Sequence, residues 1–71
     1  MPEKTKIHGF TVIYETNASG GVRYLREDLD FNEARVFFDQ ARMRGSAMFE
    51  DDNERQYTLI YQSGVYTLMK R

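Results

Sequence analysis

One histidine, three serines and no cysteine are what this chain of 71 residues offers for a histidine-activated serine or cysteine nucleophile. A Ser-His-Asp arrangement needs a histidine base within hydrogen-bond reach of an activated hydroxyl. Ser19, Ser46 and Ser63 each neighbour a glycine, and His8 falls at the start of a β-rich stretch. No spacing joins them, so no catalytic residue is assigned and the chain reads as non-enzymatic. The absence of cysteine excludes disulfides and thiolate metal sites. Glu50, Asp51, Asp52, Asn53 and Glu54 place carboxylate and amide oxygens in one turn. A calcium loop needs alternating ligands over a dozen residues with a central glycine. This run is shorter and has no glycine, so it reads as a solvated hairpin tip, and no metal or cofactor is expected.

Two binding chemistries remain. Gly20-Gly21 does not open a helix in this reading, which removes phosphate-loop and dinucleotide fingerprints. Single-strand nucleic-acid platforms carry exposed aromatics among basic residues. Tyr24 beside Arg26, with Arg35 and Arg42 on a helix flank, is the nearest approach to that pattern. Ten basic and eleven acidic residues leave a net charge of −1, so no bulk attraction to nucleic acid supports it. The alternative is a protein interface. Val36 and Met43 stand seven apart on a helix, with arginines beside them, in the manner of an apolar patch with a charged rim.

The elements that must position these residues are read from periodicity and punctuation. Residues 7–16 form a β-rich run around Phe10, Thr11, Val12, Ile13 and Tyr14. Asn17-Ala18-Ser19-Gly20-Gly21 is a turn cluster, and 22–27 reads as a returning strand. The Asn17-Ala18-Ser19 sequon is taken as loop chemistry. Asp30 then caps a helix over Phe31–Arg44. Glu33 completes a capping box, Arg42 and Arg44 suit the last turn, and Gly45 follows as the C′ residue. Phe31, Ala34, Phe37, Phe38 and Ala41 make its apolar stripe.

Three strands follow: Ser46–Glu50, Gln56–Gln62 and Val65–Lys70. A Ser63-Gly64 turn pairs Tyr61 with Tyr66 and Leu59 with Leu68. A three-residue loop at the acidic turn would put Phe49 on the core side, and a two-residue loop would put Met48 there. Phe10-Thr11-Val12-Ile13-Tyr14 resembles Tyr57-Thr58-Leu59-Ile60-Tyr61, and a Gly-Val-x-x-Leu pattern follows each, at Gly21 and at Gly64. Two similar hairpins around one helix is the resulting picture.

The expectation is therefore one α+β domain over 1–71, with 1–6 a flexible N-terminal segment. Its two layers are an antiparallel sheet and one helix packed on one face, in the order β-β-α-β-β-β. The core side takes Phe10, Val12, Tyr14, Leu25, Tyr57, Leu59, Tyr61, Tyr66 and Leu68. The open side shows Ile13, Val22, Tyr24, Ile60, Val65 and Met69, an apolar face suited to a protein partner or a second copy of the chain. The polar N-terminus contains no apolar run that could enter a membrane, and with no cysteine the expected location is cytoplasmic.

Overall fold

The computed structural model describes residues 2–71. Five strands form one sheet: β1 (Glu3–Ile7), β2 (Phe10–Tyr14), β3 (Ser46–Glu50), β4 (Gln56–Gln62) and β5 (Val65–Lys70). The strand order is β1-β2-β5-β4-β3. A helical segment and a long helix α2 (Phe31–Arg44) lie between β2 and β3 in the chain. The segment consists of a 3-10 turn (Thr16–Ala18), the short α1 (Ser19–Arg23) and a π-helical turn (Tyr24–Asp28).

The α+β class holds, but the element order is β-β-α-α-β-β-β and three expectations are corrected. The sheet is mixed. β1–β2, β3–β4 and β4–β5 are antiparallel, and β2–β5 is parallel. Every short connection does give antiparallel neighbours. β2 and β5 share no direct connection, so nothing local sets their relative direction. Second, there are two helices. The stretch 22–27, expected as a strand, belongs to the helical segment. Third, Glu3–Ile7 is an edge strand rather than part of a flexible segment, and the first hairpin closes at His8-Gly9. His8 and Gly9 have φ of 51° and 90°, as Ser63 and Gly64 have 51° and 83°. Two-residue loops with both central residues at positive φ match the twist of the strands they join, and glycine accepts that geometry without strain.

The helical segment replaces a strand because of burial. Ala18, Gly21, Val22 and Leu25 are spaced for one face of a helix and all are buried. Gly20 and Gly21 are there for approach rather than for a turn. A Cβ on Gly21 would stand 2.9 Å from the Tyr57 ring, and one on Gly20 would stand 2.8 Å from the Tyr57 hydroxyl. The bare backbone of α1 therefore lies directly on Tyr57, which is fully buried.

α2 forms as expected. Asp30 accepts from the Glu33 N–H at 2.8 Å, and Glu33 accepts from the Asp30 N–H at 3.1 Å, a complete capping box. Gly45 ends the helix in the left-handed conformation. Ala34, Phe38 and Ala41 are buried, Phe37 is half-buried, and Phe31 is 44% exposed at the first turn. Phe38 stacks on Phe10 at 4.3 Å and meets Tyr66 edge-on at 4.9 Å. Phe49, 5.4 Å from Tyr57 and 5.2 Å from Phe37, extends this aromatic layer toward β3.

Both helices cover the same face. On it Val12, Tyr57, Leu59, Tyr66 and Leu68 are buried and Phe10, Tyr14 and Tyr61 are partly so, as expected, while Leu25 is buried from the helical segment and not from a strand. The register pairs Tyr61 with Tyr66 and Leu59 with Leu68. At the acidic turn Phe49 pairs with Tyr57 and points to the core, while Met48 faces out at 60% exposure. The Asp51 N–H donates to the Arg55 carbonyl, which closes a three-residue loop of Asp52, Asn53 and Glu54. Glu54 takes φ 64° there.

Candidate functional site

The uncovered side of the sheet is built by alternation. Residues that turn one side chain into the core turn the next one out. One row crosses all five strands: Lys4, Ile13, Thr67, Ile60 and Ser46, each paired with the next. A second row joins Met69, Thr58 and Met48. Val65, paired with Gln62, lies on the other flank of the first row. Ile13, Ile60, Val65 and the threonines are half-buried by their neighbours, and Met69 is 45% exposed. Around this aliphatic centre stand Lys4 and Lys6 on β1, Glu50 on β3, and Gln56 and Gln62 on β4, all exposed. The Arg71 guanidinium donates to the Met48 sulfur at 3.2 Å. All strand aromatics point to the covered side, so this face offers nothing on which a base could stack.

Four of the six residues expected on this face are on it: Ile13, Ile60, Val65 and Met69. The other two are not. Val22 is buried in α1, and Tyr24 lies over Phe49 at 6.0 Å, half-buried. Both follow from the helical conformation of 16–28, which removes them from the sheet. Burial among core side chains raises the Tyr24 phenol pKa above 10.0, and the Asp52, Asp28, Glu33 and Asp51 carboxylates add to the rise.

Val36 and Met43 project from α2 at 61% and 84% exposure. With Asp39, Gln40 and Arg44 they line a shallow groove of about 450 Å3. Because α2 sits on the covered face, this patch is separated from the open face by the thickness of the molecule. Arg35 is drawn to Asp39 at 3.4 Å, and Arg26 reaches Glu27 at 3.8 Å. Such exposed pairs contribute little to stability. Arg42 is exposed on α2. Tyr24, Arg26, Arg35 and Arg42 thus sit on helices and share no strand.

A third feature was missed in the sequence. A polar cleft of about 380 Å3 lies between the helical segment and the acidic turn, with Arg23, Arg26, Arg55, Asp28, Asp51 and Asp52 among its walls. Its walls carry Arg23, Arg26 and Arg55 against Glu27, Asp28, Asp51 and Asp52, so their charges largely balance. Asp51 anchors one wall. Its Oδ1 accepts the Asn53 and Arg55 N–H groups at 2.9 Å each, and its Oδ2 accepts the Tyr57 hydroxyl at 3.1 Å. Partial desolvation pushes the Asp51 carboxyl up. The hydrogen bonds from Arg55, Asn53 and Tyr57 and the nearby guanidinium outweigh that and hold it below its ordinary value. Burial, and then the Asp51 carboxylate, raise the Tyr57 phenol. The signal for this wall was present in the sequence as an aspartate opening a tight turn, which caps its own loop.

His8 is occupied structurally. Its Nε2 donates to the Leu25 carbonyl at 3.0 Å, and its ring meets Phe31 edge-on at 6.0 Å. It therefore ties the β1–β2 turn to the end of the helical segment. Among the described residues no three His, Asp or Glu side chains group closely enough to hold a metal ion. Among them, too, no helix is long and apolar enough to cross a membrane. No protein family, no curated protein and no solved structure matches this chain.

Proposed function

We propose that this protein is a small non-enzymatic interaction module that binds another protein surface through the uncovered face of its sheet. One observation carries this reading: the aliphatic centre of Ile13, Ile60, Val65 and Met69 stands inside a ring of lysine, glutamate and glutamine, with no helix over it. An apolar centre with a polar rim is the anatomy of a protein interface. Nucleic acid is the weaker reading, since Tyr24 and Arg26 lie on the helical side and the face itself lacks aromatics.

The test is site-specific photocrosslinking in the native host, with the photoreactive side chain at Thr67 or, as a control, at Asn32 on the exposed side of α2. Discrete adducts are expected from Thr67 alone, and Ile60→Lys should remove them. Absence of adducts from Thr67, or the same adducts from Asn32, would refute the reading.

A further inference from the structure

We infer that the free edge of β3 is a self-association site, where a second copy of the chain adds its own β3 antiparallel about a two-fold axis at Met48. This surface is distinct from the open face, so the failure of one leaves the other standing. The two ends of the sheet are built differently. The two-residue loop of the first hairpin makes Ile7 and Phe10 a hydrogen-bonded pair, so the backbone groups of Lys4 and Lys6 point away from β2. Lysine on an edge strand blocks further pairing. Pairing β1 with itself sets lysine against lysine whether the axis falls at Lys4, Thr5 or Lys6.

The β3 edge has no such guard, since the strand contains no lysine, arginine or proline. The Tyr61 N–H donates to the Gly45 carbonyl at 3.1 Å, and the Asp51 N–H to the Arg55 carbonyl at 3.0 Å. These two bonds fix the phase of the β3–β4 ladder. Ala47 and Phe49 bond to β4, and the N–H and C=O groups of Ser46, Met48 and Glu50 point outward. β3 is the last strand of the sheet, and no hydrogen bond from the described residues takes these groups up. They repeat at the spacing of an extended strand, so the occupant that satisfies them in a row is another strand.

The strand is complementary to itself, as a two-fold interface requires. An axis at Met48 engages all three outward residues at once. Met48 pairs with Met48, and Ser46 pairs with Glu50 in both directions, so each carboxylate meets a hydroxyl and not another carboxylate. On the covered side Ala47 stands opposite Phe49, a small residue against a large one. Tyr24 and Phe37, both half-buried, lie against Phe49 at 6.0 and 5.2 Å, so the helical layer is apolar where it reaches this edge. The Arg71 guanidinium rests on the Met48 sulfur, on the same face as Glu50. Each copy thus brings one cation and one carboxylate to that face of the junction. Pairing β3 with another copy's β1 would also give Glu50 a lysine, but that contact is head-to-tail and leaves an edge open at each end. Pairing of β3 with β3 closes at two copies.

The cysteine-free chain makes the test direct. Incubated with oxidised glutathione, purified Met48→Cys should give a disulfide-linked dimer as its main product. The α-carbons of a hydrogen-bonded antiparallel pair stand about 5.5 Å apart, within reach of a disulfide. Thr67→Cys on the open face and Lys4→Cys on the β1 edge should not dimerise. In the unaltered protein, exchange of the Met48 and Glu50 amide protons should slow about threefold or more between about 10 µM and 1 mM, while that of Lys6 stays constant. Met48→Lys should abolish the slowing at Glu50 with an unchanged circular dichroism spectrum. Exchange that is independent of concentration, with no disulfide in Met48→Cys, would overturn the inference. Disulfide formation by Thr67→Cys or Lys4→Cys in place of Met48→Cys would overturn the β3 contact. Species larger than a dimer in sedimentation equilibrium would overturn the two-fold pairing in favour of β3 on β1.

Discussion

The Asp51 carboxylate accepts three hydrogen bonds at once, two from its own loop and one from a buried tyrosine. It joins the acidic turn to the core through a single side chain. Hydrogen bonds to a charged group contribute about 1.5–3 kcal/mol each, less where water competes, so Asp51→Ala should cost about 1–3 kcal/mol at pH 7 by urea denaturation. The sign of its pH dependence follows from the lowered carboxyl. Its folded-state pKa lies below the ordinary value of 3.8. The charge-linked part of this stability is present in full above that value and is lost as pH falls through the folded pKa. The gap between native and Asp51→Ala proteins should narrow below about pH 4. A gap that stays constant to pH 2 would show that charge has no part in it. From sequence alone the cluster at 50–54 reads as solvated, and for Asp52, Asn53 and Glu54 it is. What singles out Asp51 is Tyr57 reaching it from the next strand, which no local pattern announces.

At the scale of elements, Gly21-Val22-Arg23-Tyr24-Leu25 and Gly64-Val65-Tyr66-Thr67-Leu68 carry the same Gly-Val-x-x-Leu pattern and fold differently. The second is a turn and a strand, and the first is helical. Local propensity favours a strand in both, given their β-branched and aromatic residues. The first has another reading, since Ala18, Val22 and Leu25 also fall on one helical face, and burying that face over Tyr57 decides the outcome. Gly21→Ala tests the claim. Helix propensity alone would make alanine more stable than glycine by about 1 kcal/mol. The new Cβ would press on a ring with no room to move, and overpacking of this kind costs about 1–3 kcal/mol. A net loss of thermal stability is expected, and a gain would show that the helix does not need that close approach. The elements from Asp30 onward are readable because their signals are local: a capping box, a Gly C′ residue, a Ser-Gly turn and alternation with an unbroken phase.

At the scale of the molecule, a chain of this size buries only about 60% of the surface its unfolded form exposes, so stability is marginal. Association of the folded state then shows up as added stability by mass action. If the β3 edges pair, the melting temperature should rise by several degrees between about 10 µM and 1 mM protein. Met48→Lys should remove that dependence. A melting temperature independent of concentration in the native protein would argue against pairing. By itself the sequence determined the α+β class, the four elements from Phe31 to Lys70, the register of β4 on β5, and four residues of the open face. These follow from hydrogen-bond and side-chain periodicities that act over a few residues. Tertiary structure alone decided that β2 and β5 run parallel, that 16–28 is helical, and that Val22 and Tyr24 leave the sheet. Each of those outcomes depends on contacts between segments far apart in the chain, of β2 with Tyr66, Thr67 and Leu68 and of the helical segment with Tyr57 and Phe49, and their energies are not written in any one segment.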